Sequence, residues 1–520
     1  MGFSDIRGEY DIVVAGGGIT GAGVFHEAVR QGFKTLLVEA RDFAWGTSSR
    51  SSKMVHGGLR YLKQGKFFMT GAAVKEREYL LRQYPGLVTP IKFIMPLFDH
   101  YGPSRLSMKA GLSIYSFLAG EKQHQGFKKK EALEKIPGIR EETLLSAVGF
   151  KDAQVDDARL VLRLIHDACR NGGKALNYTK VTGVERDKKG WVAAVLVRGE
   201  ATGTGREIKS PVLINATGAF AEILHPSPMK GFHIRPLRGS HLFFSSARIP
   251  LTRVISFIHP ADLRPVFLFP WEGVMVLGTT DVDHDADLTS EPGISKEEAD
   301  YLMEGVTHVL PGMNLSLSRC ISSMAGVRPV LSRKKTAASK ESREHVVWQD
   351  KGLVTVTGGK LTTFRLLARD ALKAAKPFLP VRAPGPVSPA KSLPLDLYSS
   401  LRVSGRTVER IIGRYGPKAG SGILGQDETL LTPVGNTPVI WAEIRHAAKH
   451  ENIHHLSDLM LRRVRIGLLL PEGGVHLLDR VESICRPFLP WDKERWEKEK
   501  KEYANLWQTC YSPPEPLKEP

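Results

Sequence analysis

Hydrophobic positions along this chain change period from segment to segment, and the changes mark its elements. Residues 11–15 (DIVVA) form a short unbroken apolar run, the pattern of a strand buried on both faces. Glycine-dense residues 16–23 read as a tight turn, 24–31 as a helix and 34–39 as a second strand ending in an acid. Small polar residues and glycine fill 47–62, and helical character follows through Arg82. Residues 155–169 carry the amphipathic helical period, 179–197 alternate as a hairpin, and 212–218 read as a buried strand ending in small residues. Apolar and polar positions then alternate at 241–244, 254–258, 266–269 and 274–278, which predicts a sheet. Residues 353–357 predict another buried strand, running through Gly358 and Gly359 into a helix over 361–376. The proline-rich stretch 381–394 reads as a linker, 395–507 as mainly helical, and 508–520 as a disordered tail.

This order predicts an α/β fold with a discontinuous Rossmann-like domain made of residues 8–84, 150–218 and 326–380. A β-sheet-based domain (85–149 and 219–325) is inserted into it, and a helical C-terminal cap domain follows. Within the first turn, Gly16, Gly18 and Gly21 occupy the G-x-G-x-x-G positions between strand and helix. Gly16 allows the sharp turn, Gly18 the close approach of a pyrophosphate, and Gly21 close helix–strand contact. Glu39, at the tip of the second strand, is placed to accept hydrogen bonds from a ribose. The segment binds a dinucleotide.

At 520 residues the chain needs more than one core. No run of about 18 apolar residues predicts a membrane span, and the short stretch before the first strand predicts no secretory or transit segment. The expected location is therefore cytoplasmic, including the inner face of the cell membrane. Four cysteines without C-x-x-C spacing argue against a disulfide framework or zinc cluster. The 73 basic against 55 acidic residues leave a net charge of +18, a field that draws phosphorylated metabolites, nucleic acid or an anionic bilayer. No nucleic-acid module is present, so no nucleic-acid partner is expected. The acidic run Asp281, Asp283, Asp285 and Asp287 lacks the spacing of a calcium loop and reads as a solvated loop; no metal site is expected.

An extended flavin dinucleotide needs several dispersed segments, and four suit it. Beside the glycine turn with Glu39 stand Thr47, Ser48 and Ser52 with Lys53, whose hydroxyls and N–H groups suit a pyrophosphate and ribityl chain. Asn215–Gly218 lets the chain pass close to the adenosine end. The turn of Gly358, Gly359 and Lys360 with Leu361 and Thr362 aims a helix N-terminus at the flavin. The motifs SSKMVHGGLRYL, VDDARLV, INATGAF, RGSHLFF, GTTDVDHD, GVRPV and GGKLTTFR closely resemble those of the FAD-dependent glycerol-3-phosphate dehydrogenases. The likeness runs in order from about residue 8 to 375 and returns over residues 445–467. Phe220 departs from it, standing where many members carry tryptophan, and residues beyond Pro471 match poorly.

The resemblance implies non-covalent FAD, with Gly57 of the HGG turn among its contacts, and glycerol 3-phosphate as substrate. It places Arg60, Tyr61, Lys360 and Thr363 around the substrate and Arg328 beside the reacting alcohol. His241 is expected as the base and His56 as an orienting partner. It further implies electron transfer to membrane quinone from an enzyme peripheral on an anionic membrane surface. Residues 104–118, with Arg105 and Lys109 beside apolar positions, are the candidate interfacial helix, a core helix being the alternative. A homodimer is also compatible. A soluble oxidase producing hydrogen peroxide shares the site residues, and a non-catalytic flavin-bound scaffold or sensor is the reading of another class.

Overall fold

The structure, a computed structural model, describes residues 3, 6–58, 67–99, 101–119, 124–200, 203–225, 233–246, 251–332, 345–383 and 403–514. One sheet has six strands in the order His345–Asp350, Leu353–Gly358, Leu213–Asn215, Ile12–Ala15, Thr35–Val38, Lys174–Leu176. Its neighbours run parallel except the outer pair His345–Asp350 and Leu353–Gly358. Ile12–Ala15 and Thr35–Val38 are buried along their whole length, which is why their sequence is apolar without alternation. Adjacent strands come from distant parts of the chain, so this layer is discontinuous, as the pattern predicts.

The helix after the glycine turn differs from the expectation: it begins at Ile19, not residue 24, and ends at Arg30. Gly21 therefore lies inside its first turn, where a Cβ would sit 1.8 Å from the Gly16 carbonyl oxygen. Counting every glycine as turn delayed the helix start. The expected hairpin is present as Thr179–Arg186 and Val192–Gly199, with Gly205–Lys209 added as a third strand.

The second large sheet follows the path Val282–Asp283, His233–Ser245, Val274–Gly278, Pro265–Trp271, Val254–Ile258, Val88–Phe98, Leu144–Val155, Met54–Val55. Cys320–Ser332 also pairs with His233–Ser245. Two expected domain junctions, 149/150 and 325/326, fall inside strands, and a strand of the first expected segment lies in this sheet. Leu144–Val155 continues past residue 150, Cys320–Ser332 runs through residue 325, and Met54–Val55 joins this sheet. Ladder hydrogen bonds carry straight through those positions, so no boundary forms there.

Helices dominate the C-terminal region, from Gly405–Tyr415 to Lys493–Cys510. Most of the expected linker lies outside the described residues. The expected disordered tail is corrected in part: the last helix reaches Cys510, and Tyr511 is only 3% exposed. The Tyr511 carbonyl accepts a hydrogen bond from Ser323 N–H at 2.6 Å, so these residues are held by the sheet domain. Residues 515–520 lie outside the described residues.

Buried ion pairs fasten this region to the first domain. A π-helical turn, Leu459–Arg463, brings both Arg462 and Arg463 onto the Asp42 carboxylate. Arg414 pairs with Asp156 at 2.8 Å, and Arg159 grips Glu451 through two bonds of 2.8 and 2.9 Å. Burial opposes ionisation of Asp42 and Asp156. The facing arginines outweigh it and hold both carboxyls below their ordinary range. Their contribution to stability is therefore complete above the ordinary carboxyl pKa and is lost as acid titrates them in the folded state. The thermal midpoint should stay level down to about pH 4 and fall steeply below it. Glu451→Ala strands the Arg159 charge and should cost about 3–5 kcal/mol in chemical denaturation; a variant as stable as wild type would show that this pair does not join the domains.

Candidate active site

A cavity of about 1320 Å³ runs between the two large sheets. Its walls include Gly16, Gly18, Glu39, Thr47, Ser48 and Ser52 at one end and Phe93, Phe267, Thr279, Arg328 and Lys360 further along. That volume exceeds what a drug-sized ligand needs and suits a dinucleotide with a small substrate beside it. Gly16 has φ +108°, and a Cβ there would lie 2.5 Å from the Ala216 carbonyl oxygen; a Cβ on Gly18 would meet Ser48 Oγ at 3.0 Å. The bare backbone of this cradle fits a pyrophosphate. Glu39 accepts the Gly17 N–H at 2.6 Å and the Arg41 N–H at 2.8 Å, one on each oxygen. Confinement raises its carboxyl pKa and the two N–H groups pull it back. Each oxygen retains a lone pair for a ribose hydroxyl.

Residues 47–53 form the opposite lip. Ser48 Oγ accepts the Ile19 N–H at 2.9 Å, joining this lip to the glycine-turn helix, and Thr47 Oγ1 donates to the Val327 carbonyl. Lys53, expected as a cofactor contact, is fully buried away from the cavity lining. Its Nζ lies 2.8 Å from the Ser49 carbonyl and 2.8 and 2.9 Å from the Asp157 oxygens. Burial lowers its pKa to about 8 against the pull of Asp157. A buried ammonium needs a partner, and Asp157 claims it. Asp157 also accepts Ser51 N–H at 2.9 Å and Ser51 Oγ–H at 2.7 Å. It stood unused in the quoted VDDARLV motif; an Asp pair opening an amphipathic helix was its signal. Gly218, with φ +62°, lines the cavity, as do Gly359 (φ +75°), Leu361 and Thr362.

The two histidines lie differently with respect to the cavity. His241 is fully buried and lies outside the cavity lining, its Nε2 2.9 Å from Ser52 Oγ. Burial, then Lys53 and Arg328, lower its pKa well below the ordinary value. His56 lines the cavity, with Nδ1 3.3 Å from Asp152 Oδ2 and its ring 5.7 Å from that of Phe267. Asp152 is held by Gly57 N–H at 2.9 Å, Arg77 Nη1 at 3.0 Å and the Tyr115 hydroxyl at 3.2 Å. Gly57 thus supports Asp152 and does not line the cavity; Gly58 does. Arg328 lines the wall, with Nη1 2.7 Å from Asp281 and Nη2 2.7 Å from Thr279 Oγ1. Asp281 is accordingly no solvated loop residue, and Asp283 pairs with Arg235. Thr363 donates to the Lys360 carbonyl at 3.3 Å and does not line the cavity. Arg60 and Tyr61 lie outside the described residues.

Helix Arg105–Ala119 forms a further wall through Ser107, Met108, Gly111 and Leu112. This segment has one buried and one exposed apolar face. Leu112 and Tyr115 are buried, whereas Leu106 and Phe117 are more than four-fifths exposed, as is nearby Phe68. Side chains of Arg105, Lys109 and Leu118 lie outside the described residues. Among the described residues no helix is long and apolar enough to cross a membrane.

Comparison with known proteins fits this geometry. The FAD dependent oxidoreductase family profile matches residues 11–369, and that of the C-terminal domain of alpha-glycerophosphate oxidase matches 382–496. Glycerol-3-phosphate dehydrogenase 2 of Mycobacterium tuberculosis is 34% identical over 508 residues, 93% of this chain and 85% of that protein. The FAD-complexed glycerol-3-phosphate dehydrogenase from Bacillus halodurans superposes with a TM-score of 0.77 at 26% identity, covering 99% of this chain and 97% of that one. L-alpha-glycerophosphate oxidase from Mycoplasma pneumoniae, solved with FAD bound, shares the fold with a TM-score of 0.60 at 20% identity, covering 75% and 100%. With a dinucleotide cradle, a match along nearly its whole length and a helical C-terminal region of the same kind, the chain belongs to the FAD-dependent glycerol-3-phosphate dehydrogenase family.

Proposed function

We propose that this protein oxidises sn-glycerol 3-phosphate to dihydroxyacetone phosphate by hydride transfer from C2, and that the electrons pass to membrane quinone. FAD, when bound, supplies the hydride acceptor. The observation that carries the reading is His56, which shares one cavity with Lys360 and the glycine cradle and has Asp152 on its Nδ1. Asp152, fixed by Arg77, Tyr115 and Gly57, orients the imidazole, and Nε2 takes the proton of the C2 hydroxyl. Lys360 holds the phosphate as a point charge; Arg60 and Tyr61 are assigned to the substrate by the family resemblance alone. Thr363 supports Lys360 through its carbonyl. Arg328, pinned by Asp281 and Thr279, presents an oriented guanidinium to the reacting oxygen. This assignment moves the base from His241 to His56, because a base must reach the substrate.

The exposed Phe68, Leu106 and Phe117 at one end of the cavity support docking on the inner face of the cell membrane, helped by the net charge of +18. The C-terminal match to alpha-glycerophosphate oxidase favours a second reading, in which oxygen is the acceptor and hydrogen peroxide the product.

Anaerobic titration with glycerol 3-phosphate should bleach the flavin. His56→Asn should retain FAD yet slow bleaching by about 10²–10⁴-fold, whereas His241→Asn should slow it far less; the reverse ranking would return the base to His241. Lys360→Ala should weaken substrate binding roughly tenfold to over a hundredfold, from the loss of about 1.5–3 kcal/mol. Glycerol should be a poor substrate, and equal bleaching by glycerol would remove the phosphate clamp.

Wild-type protein should sediment with anionic vesicles, release in part at high salt and release fully with detergent. Leu106→Asp with Phe117→Asp should leave it in the supernatant, still bleached by substrate but slow with membrane quinone. Full oxygen consumption by wild type that ignores the vesicles would establish the oxidase instead.

A further inference from the structure

The C-terminal helix ends far along the chain from the glycine cradle, yet its last residues touch two separate parts of the cavity wall. One part is the lip with Arg50, Ser51 and Ser52; the other is the loop with Leu288, Thr289, Ser290 and Pro292. Glu291 lies between the last two, and its carboxylate accepts hydrogen bonds from Arg50 Nη2 and the Tyr511 hydroxyl. Arg50 Nη2 also lies 3.1 Å from the Tyr511 oxygen, and Cys510 Sγ lies 3.2 Å from the Glu291 carbonyl. The side chains of Arg50 and Glu291 are 3% and 9% exposed, and Tyr511 is 3% exposed. Behind this knot, Ser323 donates its N–H to the Tyr511 carbonyl and its hydroxyl to the Ser512 carbonyl, and its strand continues into the wall residues Val327–Val330. Arg465 adds a bond of 2.8 Å to the Ser49 carbonyl.

We infer that Tyr511, with Glu291 and Arg50, is a clasp by which the C-terminal region retains FAD. The two wall segments are about 240 residues apart in sequence, and a shared buried carboxylate draws them together. Opening the wall exposes Glu291 and Arg50 to loss of each other, so release of the dinucleotide is slowed. Tyr511 is a positioning residue in this scheme: it acts through Glu291 on the wall. The inference rests on FAD occupying the cavity.

The test follows FAD release from holoenzyme on dilution, by recovery of flavin fluorescence. Tyr511→Phe should speed release about tenfold and Glu291→Gln by more, since the latter removes the charge. Arg410→Ala, which breaks a buried pair with Glu272 and Glu443 away from the clasp, should lower the unfolding midpoint without changing release. By linkage, FAD must tighten the clasp by the factor with which the clasp tightens FAD, so adding FAD to apoprotein should slow Cys510 alkylation. Uptake of FAD with unchanged release in Tyr511→Phe and equal Cys510 alkylation in both forms would overturn the clasp. Apoprotein that takes up no FAD would overturn the occupancy on which it rests.

Discussion

A wall that faces an extended cofactor must be supported from its far side, and here that support converges on the buried carboxylate of Asp157. It neutralises Lys53, lies 3.4 Å from Arg465 and accepts two hydrogen bonds from Ser51. The Lys53 ammonium needs such a partner to remain buried, and the pair backs the turn at residues 47–53. The lip therefore presents Thr47, Ser48 and Ser52 to the cavity while Lys53 is held behind. Asp157 stands at the start of helix Asp157–Arg170, so the helix that covers the parallel sheet also sets the lip.

The same division of labour recurs around His56. Its cavity face is polar and open, and everything that orients it lies underneath: Asp152, then Arg77 and Tyr115. Tyr115 belongs to the helix whose outer face carries Leu106 and Phe117. One helix thus contributes a buried hydroxyl to the histidine's support and an apolar surface to the exterior.

The parts of the site legible in the sequence were those whose reasons are local. Gly16, Gly18 and Gly359 were readable because a tight turn or close approach excludes a side chain whatever the rest of the fold does. The parallel strands were readable because burial on both faces leaves unbroken apolar runs. Pairings across the chain were not readable. Lys53 sits in a polar, serine-rich motif, and nothing nearby reveals that a carboxylate 104 residues later captures it. His241 and His56 both neighbour plausible segments; alternation identifies a strand but not which of its faces borders a cavity. Tyr511 precedes a proline-rich end, so composition argued for disorder, while the acceptor that orders it, Glu291, lies 220 residues away.

The π-helical turn at Leu459–Arg463 has a bearing on how this region can change through evolution. An α-helix advances about 100° per residue, so consecutive side chains diverge; the wider turn lets Arg462 and Arg463 address one carboxylate. Such a turn is one residue longer than its α-helical counterpart. Loss of a single codon there would return the turn to α-helical spacing, and Arg462 and Arg463 could no longer both face Asp42. Substitutions along this stretch leave the wide turn intact; a deletion removes it. The turn is therefore constrained in length as well as at its two arginines, and lineages should differ here by replacement and not by indels.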